Sequence, residues 1–213
     1  MKYFILALSL TLLACQNRIA EFTKNRVIAI PTISNDSHKK IDGDLNALTE
    51  DLISAFVPQT SFAVVERSHA DQLLQEIQLA QIGLLQQNKK AGRLLGADYI
   101  LISNITHYSF NHKKEVDNPV FYHTELEMNL RLSARLVDIE RGVITASSNS
   151  DVSKSVILDE VRVFNPFTIN TGRERNKIKG ELYRKVTRRA IREVTRKLVE
   201  NQNNYYARIY GGR

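Results

Sequence analysis

The chain has 213 residues, 43% of them hydrophobic and 25% charged, with a formal net charge of +7. That apolar content supports one core of ordinary size with appendages, and only 9 glycines and 4 prolines exclude a collagen-like, low-complexity or wholly disordered polymer. A single cysteine excludes a disulfide-stapled mini-fold and a cysteine-rich zinc module, since both need at least a pair of thiols.

The position of that cysteine accounts for it. Lys2 supplies a short positive start, and Tyr3 to Ala14 is an apolar run that ends at Cys15, with Gln16, Asn17 and Arg18 behind it. A transmembrane helix needs about 20 apolar residues, so a run of this length reads as a signal peptide that is removed. Leu12, Leu13, Ala14 and Cys15 resemble the bacterial lipobox, in which a small residue before the cysteine permits cleavage and the thiol receives a diacylglycerol. Cys15 is thus the expected first residue of the mature chain and the site of lipidation, with no other cofactor expected. Each buried CH₂ of the acyl chains, palmitate among them, contributes about 0.8 kcal/mol to anchoring. Gln16 stands where inner-membrane retention signals of this class carry Asp, which implies sorting to the outer membrane with the domain facing the periplasm. The expected division is 1–14 signal peptide, 15–25 polar tether, 26–201 folded domain and 202–213 tail.

Along the domain the patterns alternate. Arg26 to Pro31 is an apolar β-branched run closed by proline, a first strand. Between Asp44 and Phe56, Leu45, Leu48, Leu52, Ile53 and Phe56 recur at helical spacing, with Gly43 before and Pro58 after. Phe62 to Glu66 is a second strand, and Ser68 with Asp71 three residues on forms an acidic capping-box variant that opens a helix to about Leu79. A short helix is expected over 89–95, closed by Gly96, and a third strand over 97–106. Glu125 to Val137 places Leu126, Met128, Leu130, Leu132, Ala134 and Leu136 on one face and polar residues on the other, a long strand wet on one side. A turn at 138–142 and a partner strand from Val143 to about Val156 complete a hairpin. Ile178, Leu182, Val186, Ala190, Val194 and Leu198 trace one stripe on a helix of about six turns. The whole reads as one mixed α/β domain.

Chemical motifs are sparse. The five histidines form no His-x-x-x-His pair, so no metal site is expected. Ser68, His69 and Asp71 carry the letters of a nucleophilic triad, but triad members converge from separate elements and a helix start explains this serine better. No glycine pattern matches a phosphate loop, and Glu125 and Glu127 lie on the exposed face of a strand. The chain is not expected to be an enzyme.

Charge is more informative. Between Arg173 and Lys197 there are eleven Lys/Arg against three Asp/Glu, a local +8 that accounts for the whole excess. Arg184, Lys185, Arg188, Arg189 and Arg192 fall opposite or beside the apolar stripe, either as a solvated helix face or as a surface for a partner. Anionic lipid head groups, an anionic cell-wall polymer or an acidic protein fit a secreted lipoprotein; nucleic acid does not. Tyr205, Tyr206, Arg208, Tyr210 and Arg213 make either an aromatic and cationic contact segment or a frayed end.

The motif order RVIAIPTISN, LTEDLISAF, SFAVVERSHADQLLQE, AGRLLGADYILISNIT and LEMNLRLSARLVDIERGVI resembles the CsgG/HfaB family of outer-membrane lipoproteins over about residues 26–200. The most specific pieces are Val64-Val65-Glu66-Arg67 running into Leu73-Leu74, and Leu95 to Leu101. The resemblance implies a single periplasmic α/β domain, an α+β mixed parallel and antiparallel sheet packed by helices, as also found in LpoB-type activators of penicillin-binding proteins and the TolB N-terminal domain. It implies a non-enzymatic role in assembly or secretion of an envelope or surface structure, of the curli-transport type, through a protein partner or a homo-oligomer. The helices at 44–56 and 68–79 would then be subunit-contact faces. Channels of this family cross the membrane with two β-hairpins, yet residues 108–124 contain Lys113, Lys114, Glu115, Asp117 and Pro119, and residues 156–180 contain five basic or acidic side chains between Arg173 and Lys179. The first hairpin is therefore expected to be absent or truncated. The alternative class is a monomeric regulatory lipoprotein that touches a peptidoglycan synthase through the basic helix.

Overall fold

The computed structural model describes residues 26–81, 96–118, 121–162 and 172–210. The signal segment with Leu12, Leu13, Ala14 and Cys15, the tether and the helix expected at 89–95 lie outside the described residues. The described elements are β1 (Val27–Ala29), β2 (Ser34–Asn35), α1 (Leu45–Phe56) with a 3-10 turn at Val57–Gln59, β3 (Ala63–Val64), α2 (Arg67–Gln81), β4 (Tyr99–Asn118), β5 (Phe121–Asp138), β6 (Val143–Arg162) and α3 (Gly172–Tyr210).

The six strands form one mixed sheet in the order β3-β1-β4-β5-β6, with β2 beside β4. β1 runs parallel to β3 and β4, and β4, β5 and β6 are antiparallel neighbours. Helices α1 and α3 cover one face, burying Ile28, Ile30, Leu101, Leu130, Leu52, Phe56, Val186 and Val194 in the main core. Helix α2 covers part of the other face, where Leu73 and Ala70 meet Ala29 and Ile100.

The alternation in β5 sets the core. Leu126, Met128, Leu130, Leu132, Ala134 and Leu136 are all buried, the most exposed of them only 2%. Both neighbouring strands run much farther than apolar patterning indicates. β4 continues twelve residues past Thr106 and stays paired with β5 to Asn118 and Phe121, so a long hairpin stands where the family's first membrane hairpin was expected to be absent or truncated. Its backbone groups are satisfied by pairing on the ladder even where Lys113, Lys114 and Glu115 give no apolar signal. A bulge at Thr106 also resets the alternation: the buried positions are Leu101, Ser103 and Ile105 before it, and Tyr108 after it.

Helix α3 spans 39 residues, about eleven turns rather than six. Leu182, Val186, Ala190, Val194, Leu198, Gln202 and Tyr206 are buried at strict spacing of four. Four residues turn a helix by about 400°, so this row winds about 40° per step, following the twist of the sheet below. Small residues Ser103, Ala134 and Ser148 lie side by side across the three strands, and the helix comes close enough there for Ser148 Oγ to donate to the Val194 carbonyl at 2.8 Å. Asn201 and Lys197 donate to the carbonyls of Ser147 and Asn149, which fixes the helix antiparallel to β6.

Two expectations are corrected. The tail expected at 202–213 is helical as far as Tyr210, and Tyr206 is buried with its hydroxyl 2.9 Å from that of Tyr99. The capping box is not formed: α2 begins at Arg67, Ser68 Oγ donates to the Glu66 carboxylate, and Asp71 accepts from Thr32 N at 2.7 Å and Thr32 Oγ1 at 3.0 Å. Asp71 thus ties α2 to the loop after β1. By contrast α1 has a side-chain cap: Asp44 accepts from Asn46 N at 2.9 Å.

The tyrosine pair gives a test of the longer helix. Tyr206→Phe strands the buried Tyr99 hydroxyl and is expected to cost about 1–3 kcal/mol, whereas Tyr99→Phe combined with Tyr206→Phe removes both groups and returns most of that loss. Urea unfolding of the two single variants and the double variant measures it.

Candidate functional site

Arg184, Lys185, Arg188, Arg189 and Arg192 are all exposed on α3. Arg184, Arg188 and Arg192 form a row at spacing four, as the buried residues do, so both rows wind at the same rate and the cations stay outward along the whole stretch. Their neighbours toward the C-terminus are neutralised: Arg196 pairs with Glu200 at 3.1 Å and Lys197 with Glu193 at 2.8 Å. None of the five makes an ion pair among the described residues; Arg192 Nε donates only to the Arg188 carbonyl at 3.3 Å. The result is a ridge of uncompensated positive charge on a helix whose other side is locked to the sheet. Sequence counting locates the ridge but not its lack of acidic partners, which depends on where Glu193 and Glu200 point.

The flank of α3 beside the ridge is fixed by an aromatic contact. A Cβ at Gly43 would overlap the Tyr183 hydroxyl, so only glycine lets the chain entering α1 pass this ring. Tyr108 from β4 places its hydroxyl 3.4 Å from the Asp42 amide and carboxylate. Burial pushes both phenols up to about 12, and for Tyr183 the nearby Asp42, Asp44 and Asp51 add to the effect. Counted round the helix at 100° per residue, the ridge lies about 100–240° from Tyr183, on the side away from α1 and its acids.

The uncovered face of the sheet is polar. Asn104, Thr106, Ser133, Arg135, Ser147 and Asn149 line a shallow groove of about 390 Å³. Beside it Arg131 Nε donates to Asp151 at 3.0 Å, and Asn104 Nδ2 donates to Asp36 at 2.6 Å. The exposed large apolar side chains lie elsewhere: Val143, Ile144 and Ile157 on β6, Val64 on β3 and Ile209 on α3. Among the described residues none lies on α1 or α2, whose exposed positions include Asn46, Glu50, Asp51, Ser68, His69 and Gln72. The letters Ser68, His69 and Asp71 do not converge, because Ser68 and His69 both turn to Glu66 while Asp71 holds Thr32. Among the described residues no helix is long and apolar enough to cross a membrane, and no three His, Cys, Asp or Glu are grouped to hold a metal.

These features define an α+β domain with a long helical spine, a mixed sheet and charged outer surfaces. The chain belongs to the CsgG family: the family model described as curli production assembly/transport component CsgG matches residues 18–207. This membership places it among envelope-associated proteins of the CsgG type. No curated protein matches the chain in sequence. Among solved structures, a neuraminyllactose-binding hemagglutinin homolog from Helicobacter pylori is similar with a TM-score of 0.51 at 14% identity, covering 87% of this chain and 92% of its own. The LpoB C-terminal domain from Salmonella enterica matches with a TM-score of 0.36 at 21% identity over 61% of this chain and 84% of its own. A PelC dodecamer from Paraburkholderia phytofirmans matches with a TM-score of 0.38 at 12% identity, covering 83% and 89%. The first of these shares the fold.

The raised phenol groups give a pH test. Tyr108 and Tyr183 keep their protons in the folded state up to about pH 12, while the unfolded chain releases them near the ordinary value of 10. The stabilisation is thus complete below pH 10 and is lost as pH rises from 10 towards 12. Thermal melts are expected to show Tm falling over that range, with less of the fall in a Tyr108→Phe variant.

Proposed function

We propose that the chain is a lipid-anchored outer-membrane protein, held by acyl chains on Cys15, that acts without catalysis in the assembly or secretion of an envelope or surface structure. The observation that carries this reading is the family match, which spans almost the whole fold. The lipobox at Leu12, Leu13, Ala14 and Cys15 supports the anchor, and Gln16 supports the outer membrane as its address.

A homo-oligomer is the form this reading favours. β6 is a 20-residue strand at the end of the sheet, paired on one side only among the described residues, and it carries exposed Val143, Ile144 and Ile157. A long open edge with apolar side chains is a template for strand pairing, and an edge that joins a different edge of the next copy closes into a ring. The hairpin of β4 and β5 argues for a blade in water rather than a lipid-facing strand pair. Neither alternating set of β4 up to the bulge at Asp117 is apolar: Ser109, Asn111, Lys113 and Glu115 form one, and Phe110, His112, Lys114 and Val116 the other.

The second reading, a monomer that regulates a peptidoglycan synthase, draws on the unpaired cations from Arg184 to Arg192 as a protein-binding surface. Light scattering of the detergent-extracted protein, with detergent mass subtracted, separates the two. A mass of many subunits is expected; a monomer refutes the oligomeric form and favours the regulatory one. In the same preparation Cys15→Ser is expected to move the protein out of the membrane fraction, and unchanged fractionation with unchanged mass refutes the anchor.

A further inference from the structure

We propose that the ridge of Arg184, Lys185, Arg188, Arg189 and Arg192 rests on the anionic head groups of the bilayer that holds the protein, so that α3 lies along the membrane surface. The inference rests on the lipid anchor of the preceding reading and not on its oligomeric form. Two observations lead to it.

The first is where the chain leaves the fold. Arg26 is bound at 3.1 Å to Asp98, whose other oxygen accepts from Val27 N at 2.9 Å, and the adjoining Tyr99 touches Tyr206 of α3. The anchor therefore joins the domain near the C-terminal end of α3. From Tyr206 the ridge begins about 21 Å along the helix at Arg192 and ends about 33 Å along it at Arg184, at 1.5 Å per residue. The eleven residue steps from Cys15 to Arg26 reach at most about 40 Å. A bilayer at the end of that tether is thus within reach of the outward side of α3 over the full length of the ridge.

The second is charge. The five side chains have no acidic partner among the described residues, whereas the cations that follow them, Arg196 and Lys197, are already paired. They project from the side of α3 away from the sheet, and Tyr183 keeps the acids about α1 on a different flank. Basic residues near an anionic leaflet are attracted individually and fade within a Debye length, so a row held parallel to the surface by a rigid helix acts together. The tether keeps the surface close, which raises its effective concentration at the ridge. An acidic protein has charge in its favour, but the reach of the tether favours the bilayer.

The test uses the full lipidated chain in vesicles carrying a quencher at the head groups, with and without phosphatidylglycerol. Cys15 is acylated, so a single introduced cysteine takes a fluorophore. Gly180→Cys places it one turn from Arg184, at an exposed position with open space around the new Cβ. Ser147→Cys places it at an exposed position on the sheet. The expected result is quenching at position 180, in phosphatidylglycerol vesicles only, with little at 147. It is lost in 1 M salt, where the screening length falls to about 3 Å, and in a variant carrying Arg184→Glu, Arg188→Glu and Arg192→Glu. Equal quenching at 180 and 147, or quenching at 180 indifferent to phosphatidylglycerol, overturns the proposal and turns attention to an acidic protein. A chain that does not float with vesicles lacking phosphatidylglycerol overturns the anchor itself, a failure read separately from that of the ridge.

Discussion

The contact between the apolar row of β5 and the winding row of α3 is the constraint on which the other features depend. β5 is flanked on both sides along its length, so its inward residues cannot move without disturbing β4 and β6. Helix α3 runs along them by matching length: 39 residues at 1.5 Å make about 58 Å, close to the roughly 60 Å of the 18-residue β5. The spacing of four lets the helix follow the sheet as it twists. Because the buried row winds, the outward row winds with it, and packing alone decides which cations face away from the protein.

Small side chains make this contact close. Ser103, Ala134 and Ser148 lie side by side in β4, β5 and β6, and the hydrogen bonds from Ser148, Lys197 and Asn201 fix the helix at one height along β6. Tyr206 closes the far end against Tyr99, next to the strand that follows Asp98. The place where the chain enters the fold and the end of its last helix are therefore one structural corner. Gly43 and Tyr183 make a similar corner with the start of α1.

Burial patterns were legible in the sequence wherever one face of an element is apolar throughout. Leu126 to Leu136 and the stripe from Leu182 to Leu198 could be placed on their faces. The strands past Thr106 and Val156 could not be read, because ladder hydrogen bonds sustain them after the side chains turn charged. A one-residue bulge at Thr106 also breaks the period on which such reading relies. The last turns of α3 were hidden for a different reason: Gln202 is fully buried, and a glutamine gives no hydrophobic signal. Asp71 was legible as a polar residue near a helix start, but its partner Thr32 lies 39 positions away. The basic ridge was visible as composition; its lack of acidic partners among the described residues follows only from side-chain placement.

The proposed role, contact at an envelope surface, would fall to the uncovered surfaces. The open edge of β6 and the outward side of α3 lie on the same border of the sheet, so both are set by how firmly α3 is held on β5 and β6. Native-state hydrogen exchange tests that dependence most directly. The account predicts that amides of residues 126–136 in β5 and 182–198 in α3 are the slowest in the chain and open together with one free energy. Exchange of the α3 amides well before those of β5, with the strands still protected, would contradict it.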